Sequence, residues 1–169
     1  MALRNIRTDN DPILRKISKE VGEVSPRMVT LVEDMFETMY HAQGVGLAAP
    51  QIGILRRLIV LDDYEGNKYS MFNPEIISGE GCQTGPEGCL SVPGRQGTVE
   101  RKNSIRVKYM DINGNSCELE AEGFLARIIQ HEIDHLNGIL YTDIATELFT
   151  LEELEEMENK KERQKEVVS

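Results

Sequence analysis

The run SIRVKYMDINGNSCELEAEGFLARIIQHEIDHLNG, Ser104 to Gly138, holds two kinds of periodicity in succession. In its first part Ile105, Val107 and Tyr109 alternate with other residues, the period-2 pattern of a strand with one buried face. Asn113-Gly114 is the signal of a type I′ hairpin turn, which would fold Cys117, Leu119 and Ala121 back against that strand. An antiparallel hairpin is predicted. From about Gly123 to Asn137, Leu125, Ile128, Ile129, Ile133 and Leu136 fall at helical spacing, and Gly138 stands where a left-handed residue closes a helix. Strands and helices therefore share one chain.

The helix is more than packing. His131 and His135 interrupt its apolar run, and the chain has only 3 histidines. Residues four apart lie on one side of a helix, so both imidazoles can be aimed at a single point. Glu132 follows the first ligand as a neighbour, close enough to take a proton from water; this is the H-E-x-x-H pattern of a hydrolytic metal site. The plain alternative is a pair of exposed or satisfied core histidines. The flanking isoleucines argue against an exposed face, and burying two imidazoles and a carboxylate without an ion is costly.

Outward from this stretch, Ser25 and Pro26 read as an N-cap and first-turn proline. Met28, Leu31, Met35 and Met39 then follow at helical spacing until Gly44. His41 near that end suits the negative pole of the helix. LRRLIVLDD (Leu55 to Asp63) and NKYSMFNPEIIS (Asn67 to Ser78) are short, β-branched or aromatic, and bounded by Gly, Pro and Asn, so they read as strands. Thr150 and Glu153 form a capping-box pair ahead of a charged helix whose apolar stripe is Leu151, Leu154 and Met157, expected to pack on one narrow face. No repeat, low-complexity segment or linker divides the chain, and 169 residues suit a single domain, 1–169.

Composition narrows the function classes. A formal net charge of -10 gives no nucleic-acid signal, because phosphate neutralisation needs a basic surface. The opening MALRNIRTDNDPILRKIS mixes charged and apolar residues, unlike a signal peptide, and no later run approaches ~18 apolar residues, so no membrane partner is expected and a cytoplasmic location is. Three cysteines, Cys82, Cys89 and Cys117, argue against a disulfide framework and leave room for one functional thiolate.

Two histidines need a third ligand. No histidine follows His135, and Glu147, Glu152 and Glu153 read as parts of an acidic, solvated helix. Cys89 is the better candidate: GPEGCLSVPG, Gly85 to Gly94, is rich in Gly and Pro, where backbone can approach a ligand closely. Cys117 reads as a small core residue on a strand, and Cys82 as a loop position.

GVGLAAPQIG (Gly44 to Gly53), EGCLSVP (Glu87 to Pro93) and QHEIDHLNG (Gln130 to Gly138) resemble the three signature motifs of the peptide deformylase family, in the family's order and separation. The resemblance implies an α+β fold, with antiparallel sheets around a central metal-binding helix, flanked by an N-terminal and a C-terminal helix. It implies removal of the formyl group from the N-terminal formylmethionine of new proteins, with release of formate. The metal ligands would be Cys89, His131 and His135, and the ion Fe2+ in cells, with Zn2+, Ni2+ or Co2+ able to occupy the site. Glu132 would be the proton carrier, and the Gln51 amide and Leu90 N–H the oxyanion donors; by itself, a glutamine after Pro50 reads as an exposed loop residue. Val45, Gly46, Leu47 and Gly88 would bind the peptide. Gly46 would allow close approach of an extended chain, with Ala48 and Ala49 packing beside the metal. The partners implied are N-formylmethionyl nascent peptides; the acidic final helix gives little support to a ribosome contact. Arg95 and Arg101 either hold the substrate backbone or pair with Glu87. Two other readings stay open: a small metallopeptidase drawing a ligand from the late glutamates, and a closed structural site using Cys82 or Cys117.

Overall fold

A computed structural model describes residues 2–168, with side chains through residue 163. In chain order the elements are α1 (Pro26–His41), β1 (Gly46–Ala48), β2 (Leu58–Asp62), β3 (Lys68–Glu80), β4 (Gln83–Cys89) and β5 (Val92–Arg101). These are followed by β6 (Ser104–Met110), β7 (Ser116–Glu122), α2 (Gly123–Leu136), α3 (Tyr141–Ile144), β8 (Glu147–Thr150) and α4 (Leu151–Val168). Five strands form one sheet in the order β1-β2-β3-β6-β7, and three form another in the order β4-β5-β8. Every pairing within them is antiparallel. The α+β arrangement with sheets about α2 is the one expected.

The larger sheet is covered on both faces, which explains why β2 is apolar at four consecutive positions, Leu58 to Leu61. Leu58 and Val60 point to one side, where they meet Leu31, Val32, Met35 and Met39 of α1. Ile59 and Leu61 point to the other, against Ile128, Ile129, Ile133 and Leu136 of α2. Successive strand residues face opposite sides, so a continuous run is needed when both sides are core. Full burial of one such side chain stabilises by about 1.5–3 kcal/mol. The apolar face of α2 therefore anchors the helix firmly enough to carry a polar face into the interior.

Helix α1 starts as read, with Ser25 Oγ accepting from Met28 N at 3.3 Å. It ends differently: the left-handed residue is Gln43, with φ +59°, and not Gly44. The β6–β7 hairpin forms as expected, with Ile105 opposite Ala121, Val107 opposite Leu119 and Tyr109 opposite Cys117. Its turn is not type I′. Only Gly114 is left-handed (φ +82°), Gly114 N donates to Asp111 O, and Asp111 Oδ1 accepts from Asn113 N and Asn115 N. A three-residue turn, Ile112 to Gly114, pairs Asp111 with Asn115, one residue out of step with a two-residue Asn113-Gly114 turn, and the aspartate at its first position satisfies the turn's N–H groups.

Four further features emerge from the fold. The Gly- and Pro-rich stretch around Cys89 is the β4–β5 hairpin, with Gly85 opposite Val99 and Cys89 opposite Val92. Glu147 belongs to β8 and not to the last helix; its Leu148 pairs with Gly97 of β5. Thr150 Oγ1 does accept from Glu153 N at 3.2 Å, but of the expected stripe Leu151 and Met157 are exposed and only Leu154 is half-buried. Cys117 is half-buried beside Asp111 and is not a core residue.

Candidate active site

Helix α2 presents Arg127, His131 and His135 one turn apart, all buried, toward the smaller sheet. The strand β4 brings Glu87 and Cys89 to meet them. Ligand atoms of Cys89, His131 and His135 all lie within 4.8 Å of one another, and Cys89 Sγ is 3.3 Å from His135 Nε2. A tetrahedral ion with sulfur at ~2.3 Å and nitrogen at ~2.0–2.1 Å requires separations of roughly 3.5 Å, so the three groups fit one ion with little movement. Among the described residues no fourth Cys, His, Asp or Glu joins this group, so an ion held by the three would keep a position open. Cys82 instead donates to Glu100 at 2.8 Å, and Glu147, Glu152 and Glu153 are exposed on β8 and α4. The closed-site and late-glutamate readings both lose their extra ligand.

Glu87 organises the cluster from behind. Its Oε1 accepts from Arg101 Nη2 at 2.8 Å and lies 2.8 Å from His131 Nδ1; its Oε2 accepts from Arg101 Nε at 2.9 Å and Arg127 Nη1 at 2.5 Å. Burial alone would raise the Glu87 pKa, but Arg101 and His131 outweigh it and hold the carboxyl down to about 2. An ionised carboxylate only accepts, so His131 Nδ1 carries a proton and its Nε2 is turned toward the ion site. Burial disfavours charge on His131, yet hydrogen bonds to Cys89 and Glu87 raise its pKa to about 10, so holding an ion through Nε2 would require loss of a proton. Burial drives the His135 pKa well below its ordinary value, so that ring is neutral and ready to ligate.

Glu132 sits beside this cluster with its carboxyl buried. Oε1 has no partner among the described residues, and burial pushes the pKa to about 7. Directly across stands Gly46. A Cβ at Gly46 would lie 2.9 Å from both Cγ and Cδ of Glu132 and closer still to Oε2. The space that the glycine leaves is thus occupied by Glu132, a use that the sequence reading assigned to an approaching peptide.

Gln51 lies in the 3-10 turn Ala49–Ile52 and is 1% exposed, which overturns its reading as a solvated loop residue. Its Oε1 accepts from Ala48 N at 2.9 Å, while Nε2 donates to Ser91 Oγ at 3.0 Å and lies 3.6 Å from Cys89 Sγ. Val45, Gly46, Gly88, Leu90 and Gln51 line a cleft of about 350 Å³ that reaches His131 and Glu132. Leu47 does not line it: its side chain is wholly buried among the residues under α1, so only its backbone is available. Ala48 and Ala49 are core residues on the two sides of the larger sheet.

Arg101 is explained as the bidentate partner of Glu87, with Asp134 Oδ2 at 2.5 Å on its other side. Arg95 is exposed on β5. Arg127 was missed: it also donates to Val99 O at 3.0 Å and to Gln83 Oε1 at 3.1 Å. The available signal was a charged residue four positions before His131, on the helix face that the histidines share.

A sequence model of the Polypeptide deformylase family matches residues 3–149. The peptide deformylase of Agathobacter rectalis is 56% identical over 143 residues, covering 85% of this chain and 90% of its own. That of Finegoldia magna is 48% identical over 163 residues, covering 95% and 100%. Among solved structures, the peptide deformylase of Thermotoga maritima superposes with a TM-score of 0.84 at 42% identity, covering 86% of this chain and 99% of that one. The enzyme from Legionella pneumophila gives 0.83 at 47% identity, covering 86% and 87%. A thiol and two imidazoles converging on one point, a buried carboxyl beside them, and a match that spans both sheets and α2 have one common source: the chain belongs to the polypeptide deformylase family.

Proposed function

We propose that Cys89, His131 and His135 hold one divalent ion and that Glu132, Gln51 and the Leu90 N–H carry out the chemistry beside it, within a single catalytic domain spanning 1–169. The activity is that of the family: a metal-dependent amide hydrolase removing the formyl group from N-formylmethionyl peptides. One thiolate and two imidazoles accommodate several first-row divalent ions; Fe2+ is the resident ion in this reading, with Zn2+, Ni2+ or Co2+ able to replace it. When bound, the ion supplies Lewis acidity, lowering the pKa of water toward ~7 and polarising a carbonyl.

The rest falls to the protein. A carboxyl poised at about 7 can take a proton from the attacking water and return it to the departing amine, so Glu132 serves both steps. Charge growing on the formyl oxygen needs donors already in place. Ser91 Oγ holds one hydrogen of the Gln51 amide at 3.0 Å, while the other makes only the longer 3.6 Å contact to sulfur and is the one able to turn to the substrate oxygen. Leu90 sits in the tight turn between β4 and β5, where its N–H can serve as the second donor.

The peptide is bound as an added strand. β1 is the edge of its sheet, with β2 on one side only, and it lines the cleft through Gly46. Gly88 of β4 lines the same cleft. Main-chain pairing of this kind reads no downstream side chain, which suits an enzyme that meets many N-terminal sequences. Val45, Leu90, Phe124 and Ile128 supply the apolar surface for the methionine side chain. Nascent peptides in the cytoplasm complete the proposal, and among the described residues no helix is long and apolar enough to cross a membrane. Direct ribosome contact through α4 is unsupported, since Glu152 and Glu153 in its first turn would repel RNA phosphates.

The observation that carries this reading is Glu132, buried with a free carboxyl oxygen beside three convergent ligands. The test is formate release from formyl-Met-Ala-Ser by protein prepared without oxygen, with metal content measured in parallel. About one ion per chain and catalytic formate release are expected. Cleavage of unformylated peptides without formate release would overturn it.

A further inference from the structure

Tyr64 lies on the hairpin loop between β2 and β3, outside the ligand cluster, and its backbone has φ +60°, a conformation costly for a tyrosine. Four hydrogen bonds to side chains hold the loop in this shape. Asp62 Oδ1 accepts from Tyr64 N at 2.8 Å, Asp63 Oδ1 accepts from Glu65 N at 2.9 Å and Asn67 N at 3.1 Å, and Asp63 Oδ2 accepts from Asn67 Nδ2 at 2.8 Å. Helix α1 braces it from outside: Tyr40 donates its hydroxyl to Asp62 Oδ2 at 2.7 Å and meets the Tyr64 ring edge-on at 6.1 Å. All of this delivers one contact. Tyr64 donates its hydroxyl to the carbonyl of Gly44 at 2.8 Å.

Gly44 borders the cleft, immediately before the edge where the peptide is expected to add. Its own N–H donates to Met39 O at 2.9 Å, and a Cβ there would lie 2.8 Å from Leu90 Cδ1, so the residue is gripped on three sides. Asp62 N also donates to Val45 O at 2.9 Å. The Gly44 carbonyl and the Val45 N–H belong to one planar peptide unit, so fixing the first sets the direction of the second. Without the hydroxyl, the plane is held only through its flanks, the Gly44 N–H on one side and the Val45 carbonyl on the other, and its tilt is less tightly set.

The geometry points to Tyr64 as a positioning residue for the peptide portion of the substrate, its hydroxyl holding the Gly44–Val45 peptide plane in the orientation that a main-chain-docked substrate meets. This rests on the deformylase reading above. Tyr64 touches neither the ligands nor Glu132, so its influence falls on binding of the chain beyond methionine and leaves the bond-breaking step alone. A substrate that ends at formyl-methionine has little main chain to misalign.

The test compares KM and kcat for formyl-Met-Ala-Ser and for formyl-methionine in the metal-loaded wild type, Tyr64→Phe and Tyr64→Gly. Phenylalanine removes the hydroxyl alone. Glycine adopts φ +60° freely and so removes it without backbone strain. Both should raise KM for the tripeptide about three- to tenfold, the range expected for one lost neutral hydrogen bond, with kcat within about twofold and KM for formyl-methionine unchanged. A purely structural role would lower the melting temperature or weaken both substrates alike, without changing the ratio between them. Wild-type KM for the tripeptide in either variant, or an equal rise for both substrates, overturns the assignment to Tyr64. A wild type that releases no formate overturns the deformylase reading itself, and this inference with it.

Discussion

Glu87→Gln is the change whose cost can be worked out most fully from the structure. Four donors converge on this carboxylate: Arg101 Nη2 and His131 Nδ1 at Oε1, Arg101 Nε and Arg127 Nη1 at Oε2. Glutamine keeps the shape but offers only one acceptor oxygen. Whichever way its amide turns, an NH2 faces two donors, and its charge no longer balances two arginines that are 4% and 6% exposed. Breaking a buried ion pair from one side costs about 3–5 kcal/mol, part of it moderated here because Arg101 retains Asp134. For a chain of this size each kcal/mol lowers the melting temperature by about 2–4 °C, so a fall of about 6–20 °C is expected. Losing the partner that orients His131 should also weaken metal affinity by about 10–100-fold.

The pH dependence gives an independent readout of the same group. Its folded pKa is lowered from the usual 4.5 to about 2, so the stability it contributes is fully present above about 4.5 and is lost as pH falls through about 2. The Gln variant lacks that acid-dependent component. Thermal melts across pH, with and without bound metal, and a metal titration read all three effects. A melting temperature within about 1 °C of wild type together with unchanged metal affinity would refute the account of Glu87 as the organiser of the site.

Three other outcomes follow from the same geometry. Cys89→Ser should remove or alter metal binding and abolish normal activity while Cys82→Ser and Cys117→Ser retain both, as checked by metal analysis and formate release; full activity in the Cys89 variant would exclude it as a ligand. Glu132→Gln should keep the metal and lose about 10²–10⁴ in kcat, because the amide preserves shape without accepting the proton; loss of metal in step with activity would make Glu132 a structural support instead. Gly46→Ala should fold and bind metal but lose turnover, since its methyl must displace the Glu132 carboxyl from the position it now fills, with a stability cost of about 1–3 kcal/mol; wild-type kcat would show that Glu132 does not work from that position.

Local order was legible because it is written in short spacings. The i, i+4 step of His131 and His135, the apolar face of α2 ended by Gly138, the Ser25 cap of α1 and the pairing of β6 with β7 all depend on residues close to one another in the chain, where periodicity and turn chemistry act directly. The turn type itself was not legible, because Asp111 competes with Asn113-Gly114 for the same hairpin. Cys89 stood out among three cysteines only by its glycine- and proline-rich company. Tertiary packing decided the rest. Glu87 meets Arg101, Arg127 and His131 across 14, 40 and 44 residues of chain, and Gly46 meets Glu132 only because an edge strand passes α2 at that point. Gln51 looked like a solvated loop residue until the fold enclosed it against Ser91. A buried polar group takes its partner from whatever element the core brings alongside, and no spacing along the chain encodes that neighbour; the residues that could ligate were visible in the sequence, while those that orient, enclose and charge them were set by how α2 packs between two sheets.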